Sequence, residues 1–271
     1  MKVDGCGNAS YYDEGYRKMG EALERSGRQI EYSCSWPAYI NGGNESLQPF
    51  PTFIEYGCNL WRNWHDIQCN WESLSSIIDH WGQYGKALQP FAGPGHWHDM
   101  DMLLIGSVSG GEDGGVTGQR CVSPEEEQTQ MAIWCISASP LIMGNDLRNI
   151  SEASKAILLN GDAIAVSQDP LGQMGIRLTP DTPQQVWSRA LANGDVAVAL
   201  YNKGGASGER QDAVDIKLDF ATLDLYGTIE VYDIWESKVV GRFNGTYTAN
   251  AVPHHGTAFL RLSKVEAKAR E

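Results

Sequence analysis

Along the first half of the chain, short apolar runs alternate with stretches of helical period. Tyr12, Tyr16, Met19 and Leu23 recur at helical spacing across residues 11–27, with Glu21, Glu24 and Arg25 on the other side and Ser26-Gly27 as a stop. On either side, Met1-Lys2-Val3-Asp4-Gly5-Cys6 and residues 29–34 read as short buried strands, so this segment predicts a βαβ unit and a parallel sheet. The pattern continues. Strand ends are expected at Ser33 to Tyr39, at Asn59 to Asp66 and at Gly93 to Gly106, with helices over Trp71 to Tyr84 and Glu125 to Ala138. A short strand over Pro140 to Met143 and a helix over Glu152 to Leu159 close the series. Five strand-plus-helix units are three short of a closed eightfold barrel, and an open five-stranded parallel sheet is the competing reading of the same pattern.

Beyond Gln168-Asp169-Pro170-Leu171-Gly172 the period changes to strict alternation. Residues 185–191 and 195–202 flank Asn193-Gly194, a strong hairpin signal. Val214, Ile216, Leu218 and Phe220 alternate with polar neighbours, as do parts of 228–235 and 257–262. The expected organisation is an α/β part over 1–172, an antiparallel β domain over 173–263 and a charged tail over 264–271. A glycine-rich stretch, 109–118, reads as a surface loop.

With 42% hydrophobic residues, 271 positions can bury a substantial core. A formal charge of −13 is the wrong sign for nucleic acid or an anionic membrane. The longest nearly apolar run, 131–144, falls short of the roughly 20 residues that a bilayer span needs. Six cysteines accompany four glycosylation sequons, at Asn8, Asn44, Asn149 and Asn244, which favours a secretory route, lysosomal or extracellular. No spacing suggests zinc, so disulfides are the expected use, with pairing open. Cys135 lies in an apolar helix and reads as a buried thiol.

Carboxylates at strand ends are the candidate chemistry. Asp4 and Asp66 end different strands, and glycosidic cleavage needs two such groups, one to attack the sugar carbon and one to protonate the leaving oxygen. Lys2, on the same strand face as Asp4, can keep it ionised and hold a sugar hydroxyl, and Arg62 is a further cation. Trp36, Tyr39 and Trp97 offer apolar faces for a sugar ring, although aromatics at strand ends more often serve packing. Asp4-Gly5 is also an ordinary turn signal. His98, His254 and His255 read as packing or surface residues.

A resemblance adds to this reading. Lys2-Val3-Asp4-Gly5-Cys6, Tyr32-Ser33-Cys34-Ser35-Trp36-Pro37-Ala38-Tyr39, Trp61-Arg62-Asn63-Trp64-His65-Asp66-Ile67, Gly93-Pro94-Gly95-His96-Trp97, Pro140-Leu141-Ile142-Met143-Gly144-Asn145-Asp146-Leu147-Arg148 and Gln168-Asp169-Pro170-Leu171-Gly172 resemble the α-galactosidase and α-N-acetylgalactosaminidase family, family 27 of the glycoside hydrolases. The likeness is strong to about residue 176 and weaker beyond. It implies strands 4 to 8 of a (β/α)8 barrel, then an antiparallel β-sandwich, in a retaining enzyme without metal or cofactor.

On matching motifs, Asp4 falls on the family's nucleophile and Asp66 on its acid/base. Lys2, Tyr39, Arg62, Asp101 and Met102 match sugar-pocket residues, and Cys34 and Cys58 match a family disulfide. Ser35 and Ala38 stand where galactose-specific members carry Glu and Leu, which points to terminal α-linked N-acetylgalactosamine, with α-galactose as the alternative. The resemblance also makes a homodimer an expectation. His98 and Met100 replace the family's Asn and Pro, and Cys69 and Cys121 match no family pair. Three strands, their sugar-binding acids and the partner of Cys6 would precede residue 1, so the chain alone is expected to be inactive, unstable or dependent on that part, a truncated sugar-binding product at most.

Overall fold

The computed structural model describes residues 1–110, 116–205 and 213–265. Four short parallel strands pair in sequence order: β1 (Lys2–Val3), β2 (Ser33–Cys34), β3 (Leu60–Arg62) and β4 (Trp97–Asp99). Their register aligns Val3 with Cys34, Cys34 with Trp61 and Arg62 with Asp99. The connecting helices pack outside them, led by α1 (Tyr12–Arg25), α2 (Phe50–Glu55) and α3 (Trp71–Leu88). Asn70 caps α3 by accepting from the Ser73 N–H, and the helix buries Leu74, Ile77, Ile78 and Trp81 at helical spacing.

Two expected strands are shorter than their apolar runs. Residues 29–31 stay exposed and outside the strand, and the Tyr32 N–H donates to the Asn59 side chain at 2.9 Å. Residues 140–143 form no strand beyond a single parallel bridge, Leu103 to Met143, backed by Leu103 N–H donating to the Ile142 carbonyl at 2.8 Å. Between them, β5 (Val108–Gly110) and β6 (Val116–Arg120) make an antiparallel hairpin where a loop was expected. The middle of that glycine-rich stretch, 111–115, lies outside the described residues.

Next comes α4 (Pro124–Ile136), started by a capping box in which Ser123 and Glu126 satisfy each other's backbone N–H groups. The helix after it, α5 (Glu152–Leu158), was expected to be the last. Asn160 then caps one more, α6 (Gly161–Ser167), its side chain accepting from the Ala163 N–H.

The second lobe is a sandwich. Its larger sheet runs in the order Lys238–Asn244 (β12), Thr228–Asp233 (β11), Thr257–Lys264 (β14), Val196–Asn202 (β9), Gln184–Ala190 (β8) and Ile176–Arg177 (β7). A two-stranded sheet of Val214–Asp219 (β10) and Thr246–Val252 (β13) packs on it. The hairpin at Asn193-Gly194 joins β8 to β9 as expected, and Asn244-Gly245, read only as part of a sequon, turns β12 into β13.

Alternation in β9 serves two cores at once. Val198 and Leu200 face the sandwich interior, while Ala197, Ala199 and Tyr201 join the cluster that includes Trp81, Trp134 and Ile136 of the barrel helices. An ion pair adds to this contact, Lys203 Nζ standing 2.8 Å from Asp79 on α3, and Asp181 of the sandwich lobe, also at 2.8 Å, holds the same ammonium. The last residues of the charged tail, 266–271, are outside the described set.

Candidate active site

The carboxyl ends of the parallel strands gather most of the expected polar residues. Tyr12 Oη donates to the Gly5 carbonyl at 2.8 Å and Tyr16 Oη to that of Val3 at 3.3 Å, so α1 holds the backbone around Asp4. A Cβ on Gly5 would come within 2.5 Å of the Tyr39 ring, which explains why glycine follows Asp4 here. Asp4 Oδ1 accepts from Ser35 Oγ at 2.8 Å and lies 3.7 Å from Lys2 Nζ. Both charged side chains of this pair are about half exposed, which leaves them open to a ligand.

Arg62 centres the other half. Its guanidinium is 5% exposed and its Nη2 stands 2.6 Å from Asp101 Oδ2 and 3.2 Å from Asp66 Oδ1, and it donates to the His65 carbonyl at 3.1 Å. Arg62 Nε is buried with no hydrogen-bond partner among the described residues. Asp101 also accepts from the N–H groups of Ile67 and Met102, each at 2.8 Å. Its φ of +79° is costly for a residue with a Cβ, and three contacts hold it there. These are the Arg62 ion pair, the Asp99 carboxylate accepting from the Asp101 N–H, and Trp134 Nε1 of α4 donating to the Asp101 carbonyl.

Asp99 was not foreseen as a site residue, although its place at the end of β4 is the same signal that singled out Asp4. Burial pushes its carboxyl above the usual range, against the pull of the Arg62 and Lys2 charges. The effect on Tyr39 ties the two halves together. Partial burial raises its phenol first, and the charges of Asp4 and Asp66 raise it further, so both carboxylates lie within electrostatic reach of one hydroxyl. Ala38, Tyr39 and Met102 present exposed side chains on this face.

Two aromatics do not join the site. Trp36 is 6% exposed, stacked on Tyr16 at 5.3 Å and on Tyr56 at 6.1 Å, and is part of the core. Trp97 begins β4 opposite Leu60, two residues before the Asp99 end. Its ring lies near Pro94 and Gly172 instead. Ser35 is buried, with its hydroxyl on Asp4.

His98 lies beneath the site in the core, as its packing reading expected. It accepts from Trp61 Nε1 at 2.8 Å, and its Nε2 faces the Leu88 carbonyl at 2.9 Å. Burial lowers its pKa to about 3. The unfolded chain protonates this imidazole near pH 6.5 and the folded one only near 3, so the associated stability is complete above 6.5 and drains as pH falls between them. From pH 7 to 5 this costs about 2 kcal/mol. We expect His98→Asn to remove that share of the acid loss, read as a flatter plot of unfolding free energy against pH; an unchanged slope would refute it.

Cys34 and Cys58 form a disulfide, tying β2 to the residues before β3. Cys69 and Cys121, unassigned by sequence, form a second. Cys135 is a buried free thiol and Cys6 an exposed one.

Acids and cations on the carboxyl ends of parallel strands, with a β-sandwich packed behind, define a class: the two-lobed proteins in which a (β/α)8 barrel carries the chemistry. The chain belongs to the α-galactosidase family of glycoside hydrolases. Residues 1–169 match the family described as "Alpha galactosidase A", and residues 181–262 match the "Alpha galactosidase C-terminal beta sandwich domain". The chain is 39% identical to the α-N-acetylgalactosaminidase of Gallus gallus over 89% of its own length and 56% of that protein's. It is 40% identical to human α-galactosidase A over 80% of its length and 47% of that protein's. The crystal structure of α-galactosidase I from Mortierella vinacea superposes with a TM-score of 0.78 at 27% identity, covering 96% of this chain and 66% of that one. The parallel lobe is thus the carboxyl-terminal part of a (β/α)8 barrel, and the chain spans about half the length of the curated relatives it matches. No helix among the described residues is long and apolar enough to cross a membrane.

Proposed function

We propose that this chain, completed by the preceding barrel strands, is a retaining exo-glycosidase acting on terminal α-linked N-acetylgalactosamine. Two exposed carboxylates, Asp4 and Asp66, each beside a cation at the carboxyl ends of one parallel sheet, carry the reading, because a double displacement needs two carboxyl groups near one sugar carbon. Asp4 attacks the anomeric carbon as Asp66 protonates the departing oxygen, and a glycosyl ester forms on Asp4. Asp66 then deprotonates a water, which displaces Asp4 and restores the starting configuration. Lys2, 3.7 Å from Asp4 and half exposed, is placed to hold a sugar hydroxyl. Arg62, Asp101 and the exposed faces of Tyr39 and Met102 hold the sugar.

Ala38 leaves room for an acetamide methyl beside the sugar's 2-position, where a leucine would not. One observation favours the α-galactosidase reading instead: the Ser35 hydroxyl, suited to an acetamide oxygen, is engaged with Asp4. The test is kcat/KM of the barrel-complete protein on the two 4-nitrophenyl α-glycosides. We expect preference for the acetamido sugar, and a shift of about 10- to 200-fold toward galactoside in Ser35→Glu/Ala38→Leu. Faster galactoside turnover by the unaltered protein would overturn the choice.

A further inference from the structure

The Asp66 loop, residues 63–70, has no regular structure between β3 and α3. The carboxyl of Asp66 is 83% exposed, and among the described residues its one ion pair is with Arg62. A group that must give and take a proton in each turnover is poorly served by many fixed bonds to its own oxygens, so its place has to be set through the backbone. On the amino side, Arg62 grips the His65 carbonyl, and immediately after Asp66 the Asp101 carboxylate grips the Ile67 N–H. On the carboxyl side, the Gln68 N–H donates to Ser73 Oγ at 2.8 Å, and Cys69 is bonded to Cys121.

Cys121 is itself firmly seated. Its N–H donates to the Ser107 carbonyl at 3.0 Å, Val122 beside it is buried, and Ser123 caps α4. That helix also holds the other wall of the site, through Trp134 on the Asp101 carbonyl and Gln130 Nε2 on that of Met102 at 3.1 Å. The disulfide therefore refers the Asp66 loop and the Asp101 turn to one rigid element. The Cys34–Cys58 bond differs, being buried in the core, whereas Cys69 is exposed.

We propose that the Cys69–Cys121 disulfide is a positioning device for Asp66, anchoring the acid/base loop to α4 so that the carboxyl meets the leaving oxygen. The proposal rests on the acid/base reading of Asp66. With the bond open, protonation of the leaving group suffers while attack by Asp4 does not.

The test exploits that difference in the barrel-complete protein. Cys69→Ser/Cys121→Ser is compared with the unaltered protein on two α-glycosides of its preferred sugar. A 2,4-dinitrophenyl glycoside departs without a proton, and a methyl glycoside requires one. We expect kcat on the methyl glycoside to fall about 10-fold or more, with the dinitrophenyl rate from glycosylation changed less than about twofold. Should the variant not fold, the native protein is treated with a mild phosphine, its new thiols are alkylated and mapped by mass spectrometry, and the same ratio is read. The exposed bond opens before the buried one. Equal losses on both substrates, or no loss, overturn the positioning role and leave a bond that serves stability alone. Failure of the unaltered protein on both substrates would instead overturn the glycosidase reading.

Discussion

Asp4→Asn will lower hydrolysis by the barrel-complete protein at least about 10⁴-fold, since in the role proposed for Asp4 the loss of the nucleophile leaves only binding and charge stabilisation. The fold should not notice. The side chain is 53% exposed and its pairing with Lys2 spans 3.7 Å, a contact of a kind that contributes little in water. Asp4→Gly with added azide supplies the decisive product: azide enters from the vacated face and gives a glycosyl azide of inverted configuration. The corresponding Asp66→Gly experiment gives the retained azide, because Asp4 still forms the intermediate first. Full activity in Asp4→Asn, or the two azide products with exchanged configurations, would reverse or remove the roles assigned here.

Arg62→Met carries the largest expected cost in stability. It leaves Asp101, 10% exposed, without the guanidinium 2.6 Å away, and breaking a buried pair on one side costs about 3–5 kcal/mol. Denaturant unfolding would measure it. Adding Asp101→Asn should return part of the loss, since the uncompensated charge then disappears. A cost below about 1 kcal/mol for Arg62→Met would mean that water reaches Asp101 freely. Activity falls as well, because Asp66 loses its ion pair and the His65 carbonyl its donor.

Much of this arrangement was legible before any coordinates. Strand ends were visible because a buried parallel strand is a short apolar run that stops on polar residues, as at Trp61-Arg62, whereas β1, expected to be buried, is a two-residue strand with Lys2 exposed and Val3 only partly covered. The sandwich was visible because β8 and β9 alternate around Asn193-Gly194. What escaped depended on contacts remote in sequence. Nothing near Trp36 reveals that Tyr16 and Tyr56 cover its faces, and nothing near Ser35 reveals that its hydroxyl meets Asp4. The pairing of Cys69 with Cys121, 52 residues apart, likewise depends on where β6 returns. The strand β12 was missed for a different reason: it is mostly exposed, with Phe243 packed on the sandwich core, and so carries a weak periodic apolar signal.

The two-sided burial of β9 bears on how the protein can be cut and rebuilt. Its alanines lie against barrel helices, the Ile176 side chain rests on Gly85 and the Arg177 guanidinium on Gly82 of α3, and Trp71 stacks on His255 at 4.1 Å. At Gly82 and Gly85 even a methyl group would intrude on the neighbouring lobe. The sandwich is accordingly less an appended module than the outer lining of α3 and α4, and exchanging it for the sandwich of another barrel enzyme would require re-cutting the helices that face it.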